Sequence, residues 1–569
     1  MTTDSSDETN RRRFLAYFSA TGLSSTLFPG VLWAKAQQAE PGSITMETIR
    51  AAAAMAGVEF TDEEIKVMAV GVNQNLGRYQ DLRKVDLSNS VPPPLHFNPV
   101  VPGMSVNRTK KPLRVSKGDR VDRPQRLEDV AFWPVTRLAQ LIKARQVKSV
   151  ELTEMYQERL KRLNSRLNCV VTFTDDLAMR QARQADQEIA AGKYRGVFHG
   201  IPWGVKDLFA AKGYPTTWGV SPYRDRVIDL NATVVDRLNN AGAVLVAKLA
   251  TGELALGDVW FGGQTKNPWN PAQGSGGSSA GPASAVSAGL VGFSIGTETR
   301  GSILGPANTC GVTGFKPTFG RVSRHGVMAV NWSLDKIGPI GRSVEDCALV
   351  LDAIHGPDGH DMAVQDIPFN WDAYTDVKKL RVGFVAGAFS ANRGQDRAKA
   401  NDEAALAKLR ELGMELVPIE IPNYPAAAVI EIIRADDAAA FDELTRTRLD
   451  ARLVSQTPSS RPNAFRVARA VPAVEYLQAQ RIRYKLMQEM AQLMSTINVY
   501  VDSVADAQNA AVNNLTGQPV ITLPNGLTDS GRPTNFVLVG RVYGEADLLA
   551  VAKAYQDATS WHLKHPELG

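Results

Sequence analysis

A chain of 569 residues, 44% of them hydrophobic, is long enough to bury a large core and to hold more than one domain. Its 64 basic and 59 acidic residues leave no basic surplus of the kind a nucleic-acid surface needs, so no nucleic-acid partner is expected. Cys169, Cys310 and Cys347 are too few and too scattered for a disulfide framework or a cysteine zinc site; they are expected as small buried hydrophobes, with no metal and no cofactor.

At the amino terminus, Arg11-Arg12-Arg13-Phe14-Leu15 precedes a modestly apolar run through Trp33, and Ala34-Lys35-Ala36 offers a small-residue cleavage site. That order is similar to a twin-arginine secretion signal, so residues 1–36 are expected to be a signal peptide and the protein to be periplasmic or secreted. The run is too short and too rich in Gly, Ser, Thr and Pro for a permanent anchor, and no stable membrane insertion is expected. Residues 37–127 read as a helical extension and Pro-rich linker. From about Gly42 to Val85 the pattern is helical, with Thr61 and Glu64 spaced as a capping box before Ile65, Met68 and Ala69. Five prolines (Pro92, Pro93, Pro94, Pro99 and Pro102) then forbid a helix or a central strand.

From Thr136 the pattern becomes that of an α/β domain. Leu138, Leu141 and Ile142 mark one amphipathic helix, and Leu152, Met155, Tyr156, Leu160 and Leu163 mark a second behind a Ser149 cap. Apolar runs at Val170–Phe173, Ala243–Ala247 and Val291–Ile295 read as strands. Helical segments Asp175–Ala191 and Ala232–Ala241 lie between them, with Gly242 as a helix stop. Leu380–Val385, Asp402–Leu412 and Glu415–Ile421 predict a strand, a helix and a strand before long helices that run to about Ser495. Such alternation argues for a central sheet covered by helices.

Three segments carry chemistry: Gly200-Ile201-Pro202-Trp203-Gly204-Val205-Lys206-Asp207, the run Gly274-Ser275-Gly276-Gly277-Ser278-Ser279-Ala280-Gly281, and Glu298-Thr299-Arg300-Gly301-Ser302-Ile303. They supply two serines, one lysine and N–H groups that glycine leaves unobstructed, the parts needed for acyl transfer without histidine. None of the seven histidines sits in a close metal pairing. Gly277–Gly281 fits G-x-S-x-G, yet a nucleophile elbow needs an apolar strand ahead of it, and Asn267-Pro268-Trp269-Asn270-Pro271 cannot be one. A Gly-Ser run alone is often a linker. The small-residue helix expected over Ala280–Leu290, with Pro282 in its first turn, makes this one part of a packed body.

These residues resemble the amidase signature family over about Phe132 to His562. The resemblance implies a single large α/β domain over 128–569, with a mixed central β-sheet covered by helices on both faces, preceded by the small helical extension. It also implies a Ser–cis-Ser–Lys triad: Lys206 the base, Ser278 the relay after a cis Gly277–Ser278 peptide, and Ser302, 24 residues on, the nucleophile. The oxyanion hole falls by resemblance on the backbone N–H groups of Thr299, Arg300, Gly301 and Ser302. For Lys206 to be neutral it must be buried, and Trp203, Val205, Leu208 and Phe209 suit that; the plain alternative is a surface lysine paired with Asp207.

Two positions depart from the family's usual G-G-S-I-R: Arg300 replaces a glycine and Leu304 an arginine. The Arg300 side chain must leave the crowded turn, toward an acidic partner or a substrate carboxylate. Cys310–Thr318 and Leu334–Pro339 are read as scaffold. Trp260 and Phe261, ahead of Gly262-Gly263-Gln264-Thr265, are candidates for an apolar acyl or aryl pocket, or for plain core. The expected function is hydrolysis of a small-molecule carboxylic amide to acid plus amine or ammonia. The alternatives are the amidase subunit of a glutamine-dependent tRNA amidotransferase and a non-catalytic binding protein on the same fold.

Overall fold

Thr61 and Glu64 form the expected capping box. The Thr61 N–H donates to Glu64 Oε2 at 2.7 Å, the Glu64 N–H donates to Thr61 Oγ1 at 3.3 Å, and the helix Asp62–Leu82 starts there. A shorter helix, Met46–Met55, precedes it. The computed structural model describes residues 44–82, 84, 88–91, 95–390, 396–503 and 507–568. The expected signal peptide over residues 1–36 and Pro92 to Pro94 lie outside the described residues. Contacts divide the chain between Leu87 and Ser88 into two units, the first holding the two helices above.

The second unit is built on an eleven-stranded sheet. In chain order its strands are β1 (Val170–Phe173), β2 (Pro202–Lys206), β3 (Val244–Leu249), β4 (Phe293–Glu298), β5 (Thr313–Lys316), β6 (Lys336–Gly341), β7 (Arg381–Val385), β8 (Glu415–Ile419), β9 (Val499–Ser503), β10 (Val520–Leu527) and β11 (Pro533–Gly540). They lie in the order β1-β3-β2-β4-β6-β5-β10-β11-β9-β7-β8. β2 runs parallel to both β3 and β4, and β7 runs parallel to β8 and β9; the remaining pairs are antiparallel. The sheet is therefore mixed.

Alternate side chains of a buried strand feed opposite faces. Val244 and Val246 of β3 join one apolar cluster, with Leu160 and Leu163 of the helix Ser149–Leu167 and Val286 of the helix Ala280–Ser287. Leu245 joins another, with Leu238 of the helix Thr233–Asn240 and Val350 of the helix Val344–Ile354. Helices thus cover both faces. All three cysteines are buried and free.

The strand, helix and strand expected after Leu380 are present as β7, the helix Asp396–Glu411 and β8. Gly242 closes its helix with φ +81°, and a Cβ there would meet His199 Cδ2 at 2.5 Å, so both conformation and space require glycine. One cap differs from expectation. Ser149 is the first helical residue, not the cap; Lys148 caps, its N–H held by Glu151 Oε2 at 2.8 Å, and Ser149 Oγ instead donates to the Gly200 carbonyl at 2.9 Å. A short polar hairpin, Lys266–Asn267 with Asn270–Gly274, forms where the prolines exclude an apolar strand.

Candidate active site

β2 is buried throughout, lies between β3 and β4 in the parallel ladder and ends on Lys206, which is in register with Leu249 of β3. Lys206 is 0% exposed. Its Nζ lies 2.8 Å from Ser278 Oγ, 2.8 Å from Thr297 Oγ1 and 3.5 Å from the Thr297 carbonyl. Asp207 does not pair with it: that carboxylate meets Lys248 Nζ at 2.7 Å and accepts the Thr217 N–H at 3.0 Å. Burial holds the Lys206 ammonium well below the ordinary lysine range; the nearby negative charges of Asp335 and Glu298 oppose the shift and Arg461 reinforces it. The neutral amine is the form this cavity favours.

Ser278 is 1% exposed and follows a cis Gly277–Ser278 peptide. Ser279 laces this loop to its surroundings: its N–H donates to the Ser302 carbonyl at 3.0 Å and its Oγ donates to the Thr297 carbonyl at 3.1 Å. Ser302 is thereby held beside the relay loop and stays partly exposed. The turn that carries it leaves β4 after Glu298, passes Gly301 at φ +106° and enters the helix Leu304–Cys310. Glu298 Oε2 closes the turn by accepting the N–H groups of Ile303 at 2.9 Å and Leu304 at 3.0 Å. Among the described residues, the N–H groups of Arg300, Gly301 and Ser302 take no partner. They are available to an oxyanion.

Thr299 is fixed by Asp335, whose Oδ1 accepts its hydroxyl at 2.6 Å while Oδ2 accepts the N–H groups of Val330 at 2.7 Å and Asn331 at 3.0 Å. Burial raises the Asp335 pKa, with those hydrogen bonds opposing. Lys336 Nζ donates to Asn514 Oδ1 at 2.7 Å and approaches the Thr299 carbonyl at 3.4 Å. A cavity of about 90 Å3 is lined by Thr297, Asp335 and Lys336, with His325 and His360 stacked beside it.

Arg300 reaches an acidic partner within the chain: its Nη2 donates to Asp437 Oδ2 at 2.8 Å. Trp260 is buried against Phe261, ring centroids 4.8 Å apart, and Arg224 lies over Phe261 at 4.9 Å. Among the described residues no hydrogen bond or ring contact joins either aromatic residue to Lys206, Ser278 or Ser302. No group of three or more His, Cys, Asp or Glu among the described residues is arranged to hold a metal ion.

Thr297, Asp437 and Arg461 escaped the sequence reading. Thr297 is a polar residue beside Glu298 in a buried strand that also holds Ser294, and Asp437 lies 135 positions from Ser302 in an alanine-rich helix. Glu298 and Asp335 stood inside quoted motifs without a role. A charged residue at the end of a buried strand is the signal that marks both.

The end of β2 with the buried Lys206, the loop after the cis Gly277–Ser278 peptide and the glycine-hinged turn after β4 that carries Ser302 thus come together. The chain belongs to the amidase signature family: residues 151–508 match the Amidase family, and it is a hydrolase acting on carbon–nitrogen bonds. It is 34% identical over 484 residues to a glutamyl-tRNA(Gln) amidotransferase subunit of Chromobacterium violaceum, covering 76% of this chain and 99% of that protein. The corresponding subunit of Geotalea daltonii is 32% identical over 475 residues, covering 75% and 97%. Among solved structures, a peptide amidase bound to the competitive inhibitor chymostatin superposes with TM-score 0.69 at 28% identity, covering 77% of this chain and 100% of that one. The native peptide amidase of Stenotrophomonas maltophilia gives 0.67 at 29%, covering 76% and 97%.

Proposed function

We propose that the chain is an exported amidase that cleaves a small carboxylic amide through an acyl-enzyme on Ser302. The observation that carries the reading is the buried Lys206 amine 2.8 Å from Ser278 Oγ. In this reaction Ser302 Oγ attacks the amide carbon, its proton passes to Ser278 Oγ, and the Ser278 proton passes to Lys206 Nζ. The carbonyl oxygen becomes an anion opposite the N–H groups of the 299–302 turn. Collapse breaks the C–N bond, and the leaving nitrogen takes the proton back along the same route. Water then attacks the ester on Ser302 by the same relay and releases the acid.

The test is a panel of aliphatic, aryl and peptide amides, lactams and esters offered to the mature protein, together with labelling by a fluorophosphonate. Hydrolysis of at least one amide with label on Ser302 is expected; an inert protein would leave the fold as a binding scaffold. The identity to the amidotransferase subunits favours a second reading, in which the same site releases ammonia from glutamine for transfer. Glutamine hydrolysis that appears only with a partner protein would select it.

For export, the paired arginines and the Ala34-Lys35-Ala36 step support a twin-arginine route, which carries folded proteins. Replacing Arg11, Arg12 and Arg13 together by lysine is expected to leave folded precursor in the cytoplasm. Fractionation and amino-terminal sequencing check it, and normal processing near Gln37 in that variant would show another route.

A further inference from the structure

We infer that Asp437 is a positioning residue that ties the loops carrying both active serines to the helical segment that follows residue 425; the inference rests on the triad proposed above. Asp437, in the helix Ala435–Ala440, is buried. Its carboxylate accepts Arg300 Nη2 at 2.8 Å, Arg461 Nη1 at 3.2 Å and Asn331 Nδ2 at 3.1 Å. Each donor leads back to the site by a different route.

Arg300 lies two residues before Ser302, so its bond to Asp437 acts on the turn that presents the nucleophile and its N–H groups. Arg461 also donates Nε to the Leu254 carbonyl and Nη2 to the Ala255 carbonyl, both at 2.9 Å. Leu254 and Ala255 stand at φ 46° and 61°, a strained region for residues with side chains, and such strain persists only where the surroundings enforce it. The same loop continues to Gly257, whose carbonyl oxygen lies 1.8 Å from where a Cβ on Gly277 would stand. The 254–257 loop is thus pressed on the peptide that precedes Ser278. Asn331 supplies the third route, because Asp335 holds both its N–H and the hydroxyl of Thr299.

One carboxylate therefore reaches the nucleophile's turn through Arg300 and the relay's loop through Arg461. Two guanidinium groups donate to it, the buried Arg461 and the partly exposed Arg300, and Arg434 Nε lies 3.9 Å away, so the two ends of the contact respond differently to substitution. Without Arg300, Asp437 keeps Arg461 and Asn331 as partners and folding is preserved. Without the Asp437 charge, both arginines lose their carboxylate, a costly state above all for the buried Arg461.

Arg300→Ala keeps its backbone N–H and is the variant to measure, well below its melting temperature. It is expected to lower kcat by about 10- to 100-fold with KM within about 3-fold, as a small misplacement of reacting groups does. Fluorophosphonate labelling of Ser302 should slow by a similar factor, and Arg300→Lys should recover most of the loss. Where Asp437→Asn folds, adding Arg300→Ala to it should cost little more, since both act through one contact. A kcat within about 2-fold of wild type for Arg300→Ala, whatever its melting temperature, would overturn the inference. So would a raised KM for carboxylate-bearing amides with kcat held, which would make Arg300 a substrate ligand. A wild-type protein inert to the fluorophosphonate would overturn the serine mechanism itself, and this inference with it.

Discussion

Ser302→Ala is expected to lower kcat/KM on the order of 10^4- to 10^6-fold, as loss of the nucleophile does in serine hydrolases. The fold should survive, because the Ser302 side chain is partly exposed and the contact that anchors the residue is its carbonyl, which still accepts the Ser279 N–H. Circular dichroism and the melting temperature check folding, and mass spectrometry of a trapped acyl-enzyme should place the adduct on Ser302 in the wild type. An adduct on Ser278 or Ser279 would reverse the roles. Ser279 is a poor candidate on geometry, since both its N–H and its hydroxyl are committed to backbone carbonyls.

Replacing Lys206 by methionine, which keeps the length and removes the base, is expected to cost about 10^2- to 10^4-fold in kcat, the usual range for a general base. Lys206→Arg should be nearly as damaging, since a guanidinium stays protonated at any working pH. The wild-type pH profile carries the sign of the effect. Burial disfavours the ammonium, so the amine stays neutral to lower pH than an exposed lysine would, and activity should fall as pH drops through that lowered pKa. Among the described residues no histidine hydrogen-bonds to Lys206 or Ser278, and the acidic limb is expected to come from the lysine. It should vanish from the residual activity of Lys206→Met. An arginine variant within about 3-fold of wild type would reduce Lys206 to a fixed charge and end the relay mechanism.

The sequence carried much of this molecule because its strands are short apolar runs fenced by glycine and helix signals. Val170–Phe173 stands as expected, and the runs at Ala243 and after Val291 are present with ends shifted by one to three residues. The family resemblance implied a contact between Lys206 and Ser278 although they lie 72 positions apart, and the two meet at 2.8 Å. What stayed hidden depends on partners far along the chain. Lys148, not Ser149, caps its helix because Ser149 is drawn to the Gly200 carbonyl, a tertiary contact that no local rule contains. Arg300 announced itself as a departure, but its partner Asp437 is one acid among many until the fold brings it within 2.8 Å.

The floor of the site has no clearance. A Cβ on Gly281 would stand 2.3 Å from the Ala250 nitrogen and 2.4 Å from the Cys169 carbonyl, and one on Gly296 would stand 2.6 Å from Ser279 Oγ. At Gly281 backbone lies on backbone, and an added methyl group has to displace main chain; at Gly296 it has to displace the Ser279 hydroxyl that donates to the Thr297 carbonyl. The helical segment from Ala426 to Ala468 meets the same turn and loop through side chains, Asp437 on Arg300 and Arg461 on the Leu254 and Ala255 carbonyls. The loops that carry Ser278 and Ser302 are thus held in two ways, by main chain packed with no room for a Cβ on one side and by a few charged side chains on the other.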